Sequence, residues 1–133
     1  MTKEQICDIM STLPLSAGSY WLVMGAALVM YGIRETTDDI DIGCTPEEFD
    51  LLVKTGYHAL ISKSGLRKLC LKENVSLYEG FYKRNIMYID GIAVSDVESI
   101  RTIKAYFGRA KDLADIELID RYLARTNQND QIF

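Results

Sequence analysis

The spacing of apolar positions changes several times along the chain, and each change marks an element. Thr2 and Gln5 form a capping box ahead of Ile6, Ile9, Met10 and Leu13, which recur at helical spacing. Residues 14–19 make a loop. Tyr20-Trp21-Leu22-Val23-Met24 is then a run of aromatic, β-branched and other apolar residues that predicts a buried strand. Gly25 breaks it, residues 26–31 predict a short apolar helix, and Gly32 ends that helix. A polar turn over 34–38 follows. Asp39-Ile40-Asp41-Ile42 alternates polar and apolar, the pattern of a strand with one buried face.

Thr45 as N-cap, Pro46 at the first helical position and Glu48 three residues after the cap predict a helix. Phe49, Leu52 and Val53 form its apolar side, and Gly56 stops it. Residues 57–61, 67–71 and 75–78 read as strands, and His58 falls in the first as a structural residue. Residues 86–89 and 92–94 read as a hairpin turning on Asp90-Gly91. Ser95 with Glu98 opens a helix through Ala105, Gly108 interrupts the chain, and a last helix covers 111–125. Its inward positions are Leu113, Ile116, Ile119, Tyr122 and Leu123. The series predicts one α+β domain over residues 1–125, a mixed twisted sheet of about four to six strands with helices packed mainly on one face. Residues 126–133 read as a frayed polar tail.

Composition narrows the classes. With 133 residues, 48% hydrophobic and 26% charged, the chain has the make-up of a folded domain rather than a disordered one. A net charge of -4 is not the footprint of a dedicated DNA binder, although it leaves room for a local basic cleft. Cys7, Cys44 and Cys70 contain no CxxC pair and His58 is the one histidine, which excludes a zinc finger and argues against a Cys/His nucleophile. Buried free thiols in a reducing cytoplasm are the expectation. Between Asp8 and Arg34 there is no charge, but Pro14, Ser16, Gly18 and Ser19 interrupt that stretch. The apolar part left, residues 20–33, is too short to cross a bilayer. Neither a membrane segment nor a secretory leader is expected.

Chemistry concentrates at Asp39 and Asp41. Positions i and i+2 of a strand project from one face, so the two carboxylates point together. At about 6 Å and an effective dielectric of 20 they repel by about 3 kcal/mol. A hard divalent cation such as Mg2+ compensates that repulsion. The alternative is a half-exposed strand with Ile40 and Ile42 inward and both acids in water.

Residues 25–42, GAALVMYGIRETTDDIDI, resemble the signature of the DNA polymerase beta-like nucleotidyltransferases in their small bacterial versions. That signature is an apolar strand, a Gly-Gly or Gly-Ser turn, a short helix, Gly-x-Arg-x-Thr and then Asp-x-Asp. GRAKDLADIELI, residues 108–119, resembles the Arg-x-Lys-Asp-x-x-Asp element of the group holding abortive-infection toxins and lincosamide nucleotidyltransferases. Together these motifs and the strands between them extend from Trp21 to Leu123.

The resemblance implies transfer of a nucleoside monophosphate from a nucleoside triphosphate, ATP among them, to a hydroxyl-bearing acceptor. It makes Asp39 and Asp41 catalytic ligands of Mg2+. Gly25 would let backbone approach the phosphates, with Arg34, Thr36 and Thr37 orienting them and Lys104, Arg109 and Lys111 close by. The implied acceptor is a small molecule of the aminoglycoside or lincosamide kind, or a protein or tRNA in a toxin–antitoxin setting. Two positions depart from the pattern. Met24 replaces the first glycine of the turn, and Ser76 stands where a third carboxylate is expected as general base. Glu79 is taken as the catalytic substitute, with Asp90 a further candidate. The departures leave a second reading, a catalytically weakened member acting as a nucleotide-binding or toxin–antitoxin interaction module. A homodimer that completes the site is a third expectation.

Overall fold

The computed structural model describes residues 1–131, with side chains through residue 127. Its elements are α1 (Lys3–Met10), β1 (Tyr20–Val23), α2 (Met24–Met30), β2 (Ile40–Cys44), α3 (Pro46–Lys54) and β3 (Leu60–Ile61). There follow β4 (Arg67–Lys72), β5 (Val75–Glu79), β6 (Ile86–Ile89), β7 (Ile92–Ser95), α4 (Val97–Phe107) and α5 (Ala110–Gln131). The strands form one mixed sheet in the order β3-β4-β5-β2-β1-β7-β6. Strand β2 runs parallel to β5 and β1 parallel to β7, while the remaining neighbours are antiparallel.

Period-two alternation divides the sheet into two unlike faces. Leu22, Ile40, Ile42, Leu69, Leu77 and Val94 project into one fully buried core. There they meet Ile6 of α1, Leu28 of α2, Phe49 of α3, Ile100 of α4 and Ile119 of α5, so every helix contributes to that one face. On the opposite face Trp21, Val23, Met24 and Ala93 make a smaller cluster, flanked by Phe81 and Ile103. Gly43 sits opposite Trp21 in the β1–β2 register, and a Cβ there would fall 2.3 Å from the indole Nε1. Its lack of a side chain is therefore what admits the tryptophan.

The caps explain several boundaries. The Thr2–Gln5 capping box forms with both of its hydrogen bonds. Thr45 Oγ1 accepts from Glu48 N at 3.2 Å, but the Glu48 carboxylate does not reach back to Thr45. It accepts instead from Ser16 N at 3.1 Å and Ser16 Oγ at 3.2 Å, tying the loop after α1 to α3. Helix α4 is capped by Asp96 rather than Ser95, because the Asp96 carboxylate accepts from Ser99 N at 3.2 Å and from Asn85 N at 3.0 Å. Ser95 is buried at the end of β7.

The structure corrects other expectations. All seven strand segments read along the chain join one sheet, beyond the expected about four to six, but residues 57–61 keep only Leu60 and Ile61 as an edge strand, and His58 is exposed in the loop before it. Helix α5 continues past Arg125 to Gln131, so residues 126–131 of the expected tail are helical, while 132–133 lie outside the described residues. No proline or glycine interrupts that stretch, and Thr126 Oγ1 donates to Tyr122 O at 3.0 Å. Leu113 is 57% exposed rather than inward, because α5 turns Asp112 and Asp115 toward α4. Cys44 is buried, but Cys70 is exposed on β4. Among the described residues no helix is long and apolar enough to cross a membrane.

Candidate active site

A cavity of about 530 Å³ opens over the thinly covered face of the sheet. The start of α2 contributes Met24 and Gly25, and the loop after α2 contributes Arg34, Thr37, Asp38 and Asp39. Asp41 enters from β2, Lys68 from β4, and Ser76 and Tyr78 from β5. Lys104, Arg109, Lys111, Ala114 and Asp115 close it from α4, α5 and the joint between them. The structure thus brings Gly25, Arg34, Thr37, Asp39, Asp41, Lys104, Arg109 and Lys111 to one cavity. Sequence reasoning did not single out Asp38, Lys68 or Ala114. Lys68 carried a usable signal, being an unlike residue in an apolar alternation beside Leu69.

Strand parity places Asp41: with Ile40 and Ile42 fully buried on the core side, the residue between them must face the cavity. Asp39 precedes the strand and is exposed. Burial pushes the Asp41 carboxyl above the usual carboxylate range, and the charge of Asp39 adds to the rise. Lys68, Lys111 and Lys104 pull against it.

The loop that carries Asp39 is braced at Thr37. Thr37 N donates to Met1 O at 3.0 Å, and Thr37 Oγ1 donates to Asp39 O at 3.2 Å. Gly25 allows this loop to close on α2. A Cβ there would lie 2.7 Å from Thr37 Oγ1 and 3.0 Å from the Arg34 guanidinium. Its neighbour Met24 adopts φ 53°, a left-handed conformation that costs a non-glycine residue about 1–3 kcal/mol. The Met24 side chain is buried beside Trp21 and Val23, and that packing offsets the strain.

An ion network forms the far wall. Lys104 is only 3% exposed, with Nζ 2.8 Å from Asp115 and 3.5 Å from Asp112. Arg34 reaches Asp115 at 3.4 Å, and Arg109 Nε donates to Asp112 at 2.6 Å. Burial works to raise the Asp112 carboxyl, but the Arg109 hydrogen bonds and the Lys104 charge outweigh it and hold the group below its ordinary range. Arg34, Lys104 and Arg109 are thereby paired within the chain. Among the described residues Lys68 and Lys111 form no ion pair.

Glu79 does not reach the cavity. It lies three positions after Ser76 on the same strand, so it projects from the opposite face. There it accepts from Arg67 Nε at 3.0 Å, and the same guanidinium holds Asp50 of α3 at 2.7 Å. Ser76 stands opposite Asp41 in the β2–β5 register and faces the cavity. Asp90 sits in the hairpin turn, 3.2 Å from Lys3, and does not line the cavity. Thr36 is exposed outside it. Among the described residues no three His, Cys, Asp or Glu side chains gather as a metal site. The carboxylates lining the cavity are Asp38, Asp39, Asp41 and Asp115; Asp115 is paired with Lys104 and Arg34, and the other three form no ion pair among the described residues.

The sheet is mixed, its helices gather on one face, and the acid pair at the entry to β2 overlooks a cation-rich cavity. Neither a family model nor a curated protein matches the sequence. Among solved structures, the chain is similar to the crystal structure of ANT(2")-Ia in complex with adenylyl-2"-tobramycin. The TM-score is 0.53, with 17% identical residues over 91% of this chain and 86% of the other. That likeness establishes the fold as the nucleotidyltransferase one.

Proposed function

We propose that this protein transfers a nucleoside monophosphate from a nucleoside triphosphate to an oxygen of an acceptor molecule, the hydroxyl anticipated from the sequence being one such oxygen. One observation carries the reading: Asp39 and Asp41 share a cavity with five cationic side chains, yet among the described residues neither acid forms an ion pair. Carboxylate oxygens without a cationic partner suit Mg2+, which takes one or two protein carboxylates together with substrate phosphates. Asp39 and Asp41 are the residues that would hold it. When bound, the ion supplies charge neutralisation at the triphosphate and at the attacking and leaving oxygens. Arg34 and Lys111 face the space beside the acid pair, where a polyphosphate would find cationic partners. The ANT(2")-Ia structure contains an adenylyl-2"-tobramycin, the kind of product this transfer makes.

Ser76 at the register position beside Asp41, with Glu79 turned away, favours a second reading in which the site binds nucleotide without completing transfer. Thermal melting with Mg2+ and each of ATP, GTP, CTP and UTP separates the cases. A ligand at a hundred times its dissociation constant adds about 2.7 kcal/mol to stability. A shift in the wild type that Asp39→Asn removes supports the site. Transfer of label from the nucleotide to any acceptor supports the enzyme, and a shift without transfer supports the binding module. No shift with any nucleotide refutes both.

A further inference from the structure

The cavity has a second lobe of about 490 Å³, which shares Met24, Asp41, Lys68, Tyr78 and Arg109 with the first. The new walls are Ser62, Lys63, Ser64, Phe81 and Phe107. Arg34, Lys104 and Lys111 line the first lobe and not the second. A triphosphate drawn to the unpaired Lys111, with Arg34 beside it, leaves the second lobe to the acceptor. We propose that the acceptor attacks through an oxygen that is already anionic, a phosphate monoester or a carboxylate, and that Lys68 and Lys63 recognise it. This rests on nucleotidyl transfer at the same site.

The electrostatics of the lobe carry the inference. A neutral hydroxyl must lose its proton to a base as it attacks. Among the described residues the one carboxylate lining this lobe is Asp41, which belongs to the acid pair. Ser76 occupies the register position next to it, and Glu79 is bound to Arg67 on the far face of the sheet. In place of a base the lobe presents cations. Lys68 Nζ lies 5.4 Å from the centroid of the Tyr78 ring, and neither Lys68 nor Lys63 forms an ion pair among the described residues. Such a lobe repels a polycationic acceptor and attracts an anion. A phosphate monoester carries close to two negative charges at neutral pH and needs no deprotonation. Phe81 and Phe107 offer apolar surface for the body of the molecule.

The reaction balances without a base. An acceptor oxygen lone pair forms a bond to the α-phosphorus, the bond from that phosphorus to the bridging oxygen of the β-phosphate breaks, and pyrophosphate leaves with the electron pair. The product is a mixed anhydride, and no proton is taken from the nucleophile.

The test uses matched probes with a single nucleophile each: phenyl phosphate against phenol, and benzoate against benzyl alcohol. Each is incubated with protein, Mg2+ and α-labelled nucleoside triphosphate. Label on the anionic member of a pair, at least about tenfold above its neutral counterpart, is the expected result, and the pair that reacts identifies the source as phosphate or carboxylate. Lys63→Met, at a residue that lines the second lobe and not the first, should raise the KM for that acceptor about tenfold while the nucleotide-induced melting shift stays the same, and Lys63→Arg should recover most of the loss. The rate should not rise from neutral to mildly alkaline pH, as it would for a hydroxyl awaiting deprotonation. Label only on the neutral members, or on none although the nucleotide shifts the melt, overturns the inference and leaves nucleotide binding standing. Absence of any nucleotide shift removes the underlying reading and the inference together.

Discussion

Two pairs of aspartates meet opposite electrostatic conditions, Asp39 and Asp41 lining the cavity and Asp112 and Asp115 standing in or behind its wall. Asp112 and Asp115, one helical turn apart on α5, are locked to Lys104, with Arg109 and Arg34 completing the set. Asp39, just before β2, and Asp41 within it have no cation of the chain bound to them among the described residues. The consequence shows in their titration: the Asp112 carboxyl is held down, whereas burial and its neighbour's charge push the Asp41 carboxyl up. Acids satisfied within the chain fix the position of a helix. Acids without such partners are left to repel each other. The comparison also explains why a basic cluster does not translate directly into free phosphate contacts, since three of the five cavity cations are already engaged.

The largest expected break is functional. Asp41→Asn should lower transfer about a thousandfold in a labelled-nucleotide assay, equivalent to about 4 kcal/mol of transition-state stabilisation. Its melting temperature without nucleotide should stay level or rise, because the substitution removes a half-buried, repelled charge. Asp112→Asn should do the reverse. Weakening the pairing of a buried lysine costs about 3 kcal/mol, read as a lower midpoint in urea unfolding. If Asp41→Asn destabilises as much as Asp112→Asn, the distinction between the two pairs fails.

A smaller effect sharpens the comparison at Met24, where backbone strain is stored beside the acid pair. Met24→Ala removes packing and keeps the left-handed backbone, whereas Met24→Gly removes packing and relieves it. The glycine variant should therefore be more stable than the alanine variant by about 1 kcal/mol, the reverse of the usual order in a helix. Chemical unfolding of the two variants checks this.

The smallest effect is in pH. The Asp112 carboxyl is lower in the folded state than its unfolded value, so its contribution is present above the ordinary carboxylate range and is lost as pH falls through the folded value. The Asp41 carboxyl is higher when folded, so its penalty is present at neutral pH and disappears as pH falls through that raised value. Stability measured against pH for wild type, Asp41→Asn and Asp112→Asn should show the wild type and Asp41→Asn converging first on acidification. The wild type and Asp112→Asn should converge only at more acid pH.

Much of this was legible along the chain because its causes are local. The Thr2 and Thr45 caps, the glycine stops and the Asp39–Asp41 alternation depend on contacts within a few residues. Even the exclusion of Glu79 was within reach, since a residue three positions from Ser76 in a strand must face the other way. The extent of β3 was not, because only tertiary pairing decides that Leu60 and Ile61 alone of the run 57–61 join the sheet.

Sequence alone determined the alternating strands, the capped helices and the close spacing of two acids at the entry to β2. The tertiary structure decided which charges remain available. Lys104 and Arg34 are paired or free only once α5 packs beside α4 and the loop after α2 closes over Gly25. The same docking rotates Leu113 outward in favour of buried ion pairs, against the apolar pattern of its own helix. Backbone periodicity is a nearest-neighbour property, whereas electrostatic pairing in a cavity depends on groups brought together from distant parts of the chain.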